Sequence, residues 1–375
     1  MTLGRVVLVF PKVVPDRPGS DDWTLLPLSL LSIASPLLES GFEVEVIDQR
    51  VDPRWRDTLA DALEAGPVVC VAVSAMTGLP IDGALKASEL VKATAPAVPV
   101  VWGGVHASLL PEQTAASPSV DYVVVGEGER AFSQLVDALA SGADPLGVPG
   151  VRAVRGGQLA GTPAGRPIEM DTLARPAYGL VDVRRYLNAP FMTTQRPLAF
   201  VTSRGCSGRC NYCYNLAFNQ GRWRAMSPER VLSDIRHLVA EYAVDSLFLL
   251  DDNFFANWSR AADICDGVLA EGLDVTFLNA NCRVSTLDSR SADDLDLLRR
   301  AGFQKLFIGV ESGSDEVLRI MGKDTTVEQV RRVNVRLREA GIVPVYSFML
   351  GLPGETTRHM RSTLALMLEL VERYP

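Results

Sequence analysis

Short β-branched runs alternate with longer amphipathic stretches in two separate series, and this restricts the chain to a few architectures. In the first series RVVLVF (5–10), FEVEVID (42–48), VVCVAVSA (68–75), VPVVWGG (98–104) and DYVVVG (121–126) read as strands. PLSLLSIASPLLES (27–40) reads as a helix stopped by Gly41, and helical spacing recurs over 80–95 and 129–141. Strands separated by helices cannot be joined by hairpins, so the expected product is an α/β domain, a Rossmann-like parallel sheet covered on both faces. Its functional loops should lie at the carboxyl ends of the strands.

The second series begins at Leu198. LAFVTS, SLFLLD, VTFLNA, KLFIGV and VPVYSFML start at 198, 246, 275, 305 and 343, a βα unit repeated without hairpins. That pattern predicts a partial (β/α) barrel. SPERVLSDIRHLVAEY opens with Ser227 as N-cap and Pro228 at the first helical position, and TVEQVRRVNVRLREAG closes on Gly341. A six-unit barrel is expected to lack its last unit, since the sequence stops after LALMLELVERY. Between the two series, Gly and Pro are frequent and apolar periodicity is weak, with a small hairpin around Gly156 and Gly157. The expected organisation is therefore 1–145 sheet domain, 146–195 connector and 196–375 partial barrel.

Composition excludes several function classes. The 375 residues are 47% hydrophobic and 22% charged, ordinary globular usage. The net charge is −8, with no Lys/Arg run, which speaks against a nucleic-acid or anionic-membrane surface. The start, MTLGRVVLVFPK, has too short an apolar stretch for a signal peptide, and no run of about 18 apolar residues occurs, so a cytoplasmic location is expected.

Six cysteines are too few for a disulfide scaffold in a chain this long, but three of them, Cys206, Cys210 and Cys213, fall in TSRGCSGRCNYCYN directly after the first strand of the second series. Thiolates are soft ligands for iron-sulfur clusters and zinc. A structural zinc site takes four protein ligands, and no fourth Cys or His lies nearby, so one metal position is left open. Cys265 and Cys282 have no cysteine neighbour and read as packed thiols.

The C-x3-C-x2-C spacing, its place after strand one and the aromatic Tyr212 before the third cysteine resemble the radical S-adenosylmethionine (SAM) superfamily. The likeness runs over roughly 198–354, through LFLLDDNFF, GVESGSDEVL and MLGLPGET. It implies a 4Fe-4S cluster on Cys206, Cys210 and Cys213 whose fourth iron chelates SAM, and reductive cleavage of SAM to methionine and a 5′-deoxyadenosyl radical. Asp251, Asp252 and Asn253, at the end of strand two, are placed to accept hydrogen bonds from the SAM ammonium or to cap the next helix. Glu311 and Ser312 could bond the ribose or methionyl group or cap helix four. Arg283 could pair with the SAM carboxylate or lie at the surface. GLPGE (351–355) could turn around the adenine.

The amino-terminal series carries a second resemblance. VAVSAMTG ends strand three and VVWGGVHAS ends strand four, so small Ser74 and the pair Gly103–Gly104 leave a slot for a flat ligand. The spacing Ser74, Ala75, Met76, Thr77, then Gly103, Gly104, Val105, His106 is similar to the cobalamin (B12)-binding domain of B12 proteins. LLPLSLLSIAS and DYVVVGEGER, with Gly126, Glu127 and Gly128, resemble the first helix and fifth strand and turn of B12-dependent radical SAM proteins. The D-x-H-x-x-G that supplies a lower axial histidine elsewhere is absent, since VFPKVVPDRPG has no His. The lower face of cobalt is then expected to meet the Met76–Thr77 loop. His106 is expected to cap its turn, and His237 and His359 to lie solvated on helices.

The combined resemblance implies a methyltransferase acting on an unactivated carbon or a phosphinate phosphorus. One SAM would methylate cobalamin, a second would supply the radical, and the substrate radical would take the methyl group. The expected partners are a small-molecule substrate, such as a biosynthetic intermediate, and an electron donor such as a flavodoxin or ferredoxin. The alternatives are a non-methylating B12 radical SAM reaction (cyclisation, ring contraction or oxidation) and a non-catalytic cobalamin or cluster protein. GVESGSDEVL also resembles the methylthiotransferases, but their amino-terminal domain needs three more cysteines and this one has only Cys70.

Overall fold

The computed structural model describes residues 3–12, 24–187 and 196–372. The chain divides into two compact units, Met1–Pro190 and Phe191–Pro375.

The first unit is built on a seven-stranded sheet of β1 (Arg5–Phe10), β2 (Glu43–Asp48), β3 (Val68–Ser74), β4 (Val100–Gly103), β5 (Tyr122–Val124), β6 (Val151–Arg155) and β7 (Gln158–Gly161). The order is β2-β1-β3-β4-β5-β6-β7, parallel through β5 and antiparallel thereafter. Two-residue periodicity sorts the side chains. Val7, Val9, Val71 and Val73 face Trp55 and Leu59 of the helix Trp55–Glu64 and Ala84, Ala87 and Val91 of Pro80–Thr94. Val6, Leu8, Cys70 and Ala72 face Leu30, Ala34 and Leu37 of Leu28–Glu39 and Phe132, Leu135 and Val136 of Gly128–Ser141. Each fully buried Val or Leu contributes about 1.5–3 kcal/mol, so the central strands lock the register. The reversal of strand order between β1 and β3 puts the topological switch point beside the end of β3.

Residues 146–187 differ from the expected connector. The hairpin turns at Gly156–Gly157, and its strands β6 and β7 complete the sheet. Further along, Ala177 N donates to Leu31 O at 3.0 Å, Ser35 Oγ to Arg175 O at 2.6 Å, and the buried Tyr186 hydroxyl to Asp48 at 3.0 Å. Weak periodicity here reflects packing by isolated side chains rather than by a regular face. Residues 188–195 of that stretch lie outside the described residues, as do 13–19 of the histidine-free segment after β1.

In the second unit, β8 (Pro197–Phe200), β11 (Ser246–Leu249) and β12 (Thr276–Asn279) pair in parallel, as do β13 (Asn281–Arg283), β14 (Lys305–Glu311) and β15 (Val343–Phe348). β12 and β13 are one extended run interrupted at Ala280, and bonds from Phe277 N to Gly302 O (2.9 Å) and Phe307 N to Ala280 O (2.9 Å) join the two sheets into one arc. A small antiparallel ladder, β9 (Ser203–Gly205) with β10 (Trp223–Ala225), brackets the cysteine loop. Ser227 Oγ caps the helix Pro228–Tyr242 by accepting from Arg230 N at 3.2 Å, and Thr326 forms a capping box with Gln329 at the start of Val327–Glu339. Phe277 stacks on Phe303 at 4.3 Å, with Phe254 and Phe255 beside them, filling the core behind the site. Among the described residues no helix is long and apolar enough to cross a membrane.

Candidate cofactor sites

At the carboxyl end of the first sheet, Ser74 and Gly103 are paired across β3 and β4, and Ala75 N donates to Gly103 O at 3.0 Å. Gly104 sits at φ +90°, and a Cβ there would lie 2.8 Å from Ala75 O and 3.1 Å from Ser74 Oγ. Only glycine allows this approach. It carries the chain into the helix Val105–Leu109, where His106 N reaches Ala75 O at 3.1 Å. Beyond Gly103 a Cβ would meet nothing nearer than Val124 at 4.0 Å, so space stays open at this strand end.

The Ser74 and Ser29 hydroxyls face each other at 3.2 Å. The loop after β3 exposes Met76 (61%) and Leu79 (59%), and Leu110 is exposed after β4. Gly126 N donates to Ser108 Oγ at 2.9 Å, Glu127 accepts from Ile168 N at 2.9 Å, and Gly128 lies against Ile33. His106 is buried, its Nδ1 3.1 Å from Thr77 Oγ1, and burial lowers its pKa; its ring braces the β3 loop rather than capping its own turn. An open, apolar-rimmed slot fits the edge of a flat macrocycle.

In the second unit the three cysteines sit on one loop with free thiols. Gly208 N approaches Cys206 Sγ at 3.3 Å, Asn253 Nδ2 approaches the same sulfur at 3.7 Å, and Arg283 Nη1 approaches Cys210 Sγ at 3.7 Å. A Cβ on Gly208 would collide with the Arg283 guanidinium and lie 3.4 Å from Cys206 Sγ, so both sulfurs share one neighbourhood. Among the described residues no three Cys, His, Asp or Glu side chains converge on one point as ligands of a single ion. Asn253 Oδ1 is buried without a partner, an acceptor left for a ligand, and the soft donor set suits iron-sulfur chemistry.

The strand-two residues divide their work. Asp251 does not face the mouth. It is fully buried and accepts from Thr202 N at 2.8 Å, Thr202 Oγ1 at 2.6 Å and Ser203 Oγ, with burial raising its pKa against those hydrogen bonds. Asp252 instead grips the cysteine loop, accepting from Gly205 N at 2.7 Å and the Tyr214 hydroxyl at 2.5 Å. Arg283 ends β13 and is neither exposed nor free. Desolvation opposes its charge, but the Asp324 carboxylate, then Cys210, raise its pKa. Asp324 lies 41 residues away, and no local pattern announced it.

Glu311 occupies a left-handed conformation, φ +70°, at the end of β14, strained for a non-glycine residue. Its Oε1 accepts from the buried Lys323 ammonium at 2.8 Å. Burial, followed by the nearby Glu311 and Cys210 charges, raises the pKa of the Tyr212 hydroxyl. Ser312 is turned inward, 3.3 Å from Thr363 Oγ1, and accepts from Ser314 N at 3.2 Å within the turn; it does not cap the helix Asp315–Ile320, whose N-cap is Ser314. In GLPGE the Glu355 carboxylate closes the turn onto Gly351 N at 2.6 Å, leaving its Oε1 buried without a partner.

His359 is not solvated: it is buried between Glu316 (3.2 Å) and Thr356 N (3.3 Å), because its helix face packs inward with Thr363 and Leu366. Cys70, Cys265 and Cys282 are buried thiols, and burial pushes Cys70 and Cys265 up to about 12.

The sequence matches the Radical SAM superfamily over residues 200–367 and the B12 binding domain over residues 23–136. It is 30% identical over 369 residues to the uncharacterized methyltransferase PH0819 of Pyrococcus horikoshii, covering 97% of this chain and 78% of that protein. The chain belongs to the radical SAM superfamily, in the group where a B12-binding domain precedes the radical SAM domain. It is also 27% identical to the anaerobic magnesium-protoporphyrin IX monomethyl ester cyclase of Synechocystis sp., over 87% of this chain and 64% of that enzyme, so it spans just under two thirds of that relative's length. The structure of the radical SAM methyltransferase TsrM from Kitasatospora setae, with cobalamin and a [4Fe-4S] cluster bound, shares the fold: TM-score 0.77, 21% identity, 99% of this chain and 71% of that one.

Proposed function

We propose that this chain is a B12-dependent radical SAM methyltransferase acting on an unactivated carbon, or a phosphinate phosphorus, of a small-molecule substrate such as a biosynthetic intermediate. The observation that carries the reading is the pairing, in one chain, of a three-thiol loop with an open slot at the carboxyl ends of the parallel strands β3 and β4. When bound, the cluster supplies the electron that cleaves SAM and cobalamin supplies the transferable methyl group.

The protein's own residues bind and orient. Cys206, Cys210 and Cys213 would hold three irons, and the orphaned Asn253 Oδ1 would accept from the SAM ammonium. Asp252 and Tyr214 keep the cysteine loop closed, and Glu311, Tyr212 and Lys323 form the polar wall at the end of β14. Ser74–Thr77, Gly103–His106 and Gly126–Gly128 would line the corrin slot. An external one-electron carrier, such as a flavodoxin or ferredoxin, reduces the cluster, and a reducing cytoplasm is the compartment in which three free thiolates persist.

The test is product analysis of anaerobically reconstituted protein given SAM, reductant and candidate substrates. S-Adenosylhomocysteine and 5′-deoxyadenosine formed together with methylated product support the methyltransferase. Deoxyadenosine alone favours the non-methylating reading, to which the likeness to the cyclase points. A full cluster and cobalamin with no deoxyadenosine would make it a binding protein.

A further inference from the structure

A cluster that must be reduced from outside needs a place where a carrier can dock close to it. From Ser203 to Pro228, the stretch that carries all three cysteines, the sequence holds Arg204, Arg209, Arg222 and Arg224 and not one Asp or Glu, in a chain whose net charge is −8.

The fold gathers this charge at the rim of the cysteine loop. Arg209 is exposed and directly precedes Cys210. Arg222 is exposed, and its carbonyl packs where Gly205, the residue before Cys206, lacks a Cβ. Arg204 and Arg224 stand opposite each other across the β9–β10 ladder. A third exposed arginine, Arg319, comes from the helix Asp315–Ile320, whose carboxyl end is tied to the loop by Asn211 Nδ2 to Ile320 O at 2.7 Å and Asn211 N to Met321 O at 3.0 Å. No ion pair of the described residues engages Arg209, Arg222 or Arg319. The acidic residues of that helix, Asp315 and Glu316, lie in its first turn, at the opposite end. Among these cations Leu216 and Ile320 expose apolar surface.

We propose that this basic rim with an apolar centre is the docking surface for an acidic one-electron carrier protein. The inference rests on the radical SAM reading and adds the partner's charge and its landing place. The step is outer-sphere: the carrier loses one electron, the cluster gains it, and no bond or proton moves. Complementary charge steers such short-lived encounters and accelerates them at low salt, and small, weak interfaces are usual for redox pairs.

The experiment is anaerobic stopped-flow bleaching of the reconstituted cluster by a reduced, acidic bacterial flavodoxin, and separately by photoreduced deazaflavin, a small reductant that needs no docking. In the unaltered protein the flavodoxin rate should fall steeply as salt rises from low to physiological ionic strength. Arg209→Glu with Arg222→Glu should slow reduction by flavodoxin about tenfold or more at low salt, and the corresponding Gln pair less, while the deazaflavin rate stays unchanged. A flavodoxin rate insensitive to salt, an unchanged rate in the charge-reversed protein, or equal slowing with both reductants would overturn the proposal. A protein that shows no iron-sulfur absorption to bleach would instead refute the radical SAM reading itself.

Discussion

In the first unit the loop after β4 comes within bonding distance of Ala75 because Gly104 has no side chain, whereas in the second unit the loop after β8 is held by the carboxylates of Asp251 and Asp252 and overlaid by Asn253 and Arg283. Both sites use the carboxyl ends of parallel strands, yet one is made by omitting atoms and the other by adding donors and charges. A large macrocycle is gripped by shape, so the sheet must leave space. A small anionic cluster is gripped by covalent sulfur ligation and tuned by neighbouring dipoles, so the loop must be crowded with them. The separation is sharpest for Cys210→Ala. It should abolish deoxyadenosine formation and remove the iron-sulfur absorption, while cobalamin still binds at unaltered affinity. Loss of cobalamin in the same variant would break the division of labour.

That division also explains what the sequence disclosed. The sheet registers follow from two-residue periodicity, and the cysteine trio and Gly103–Gly104 are local patterns, so each could be read without coordinates. Asp251 and Asp252 could not be told apart. Adjacent residues at a strand end face opposite sides, and a register irregularity between Leu247 and Phe248 shifts the alignment with the neighbouring strand. The Arg283–Asp324 pair, the Lys323 partner of Glu311 and the inward turn of His359 depend on contacts between elements remote in sequence, which periodicity does not encode.

Gly104→Ala tests the site made by omission. The added methyl would sit 2.8 Å from Ala75 O on a backbone at φ +90°, a strain of about 1–3 kcal/mol. Equilibrium unfolding should register that loss, cobalamin titration should show weakened binding, and iron content should be unchanged. If stability and cobalamin affinity are both retained, the close approach is not what shapes the slot.

Arg283 and Asp324 test the site made by addition, through the potential of the cluster. A cation donating toward the Cys210 sulfur favours the reduced, more negative state. Arg283→Met should lower the midpoint potential by about 60 mV, a tenfold change in the reduced fraction for a one-electron couple. Asp324→Asn removes the charge that partly neutralises Arg283 and should shift the potential upward. An EPR-monitored redox titration reads both, and shifts of the same sign would mean that the pair acts only as a structural brace.

The smallest effect is the dependence of each unit's stability on pH, and the two should run in opposite directions. Burial lowers the pKa of His106, so the unfolded chain, with an ordinary value near 6.5, binds its proton first. Its contribution is complete above that value and is lost as pH falls through the folded value. Burial raises the pKa of Asp251, whose ordinary value is about 3.9, so its contribution is complete below that value and is lost as pH rises through the folded one. Pulse proteolysis in urea, with fragments assigned to residues 24–187 or 196–372, should therefore show the first unit gaining stability from pH 5 to 7 while the second gains less or loses. His106→Gln should flatten the first slope. Asp251→Asn should flatten the second while lowering stability throughout, because a single amide oxygen cannot serve the three donors from Thr202 and Ser203. Parallel slopes in the two units would place the controlling charges elsewhere.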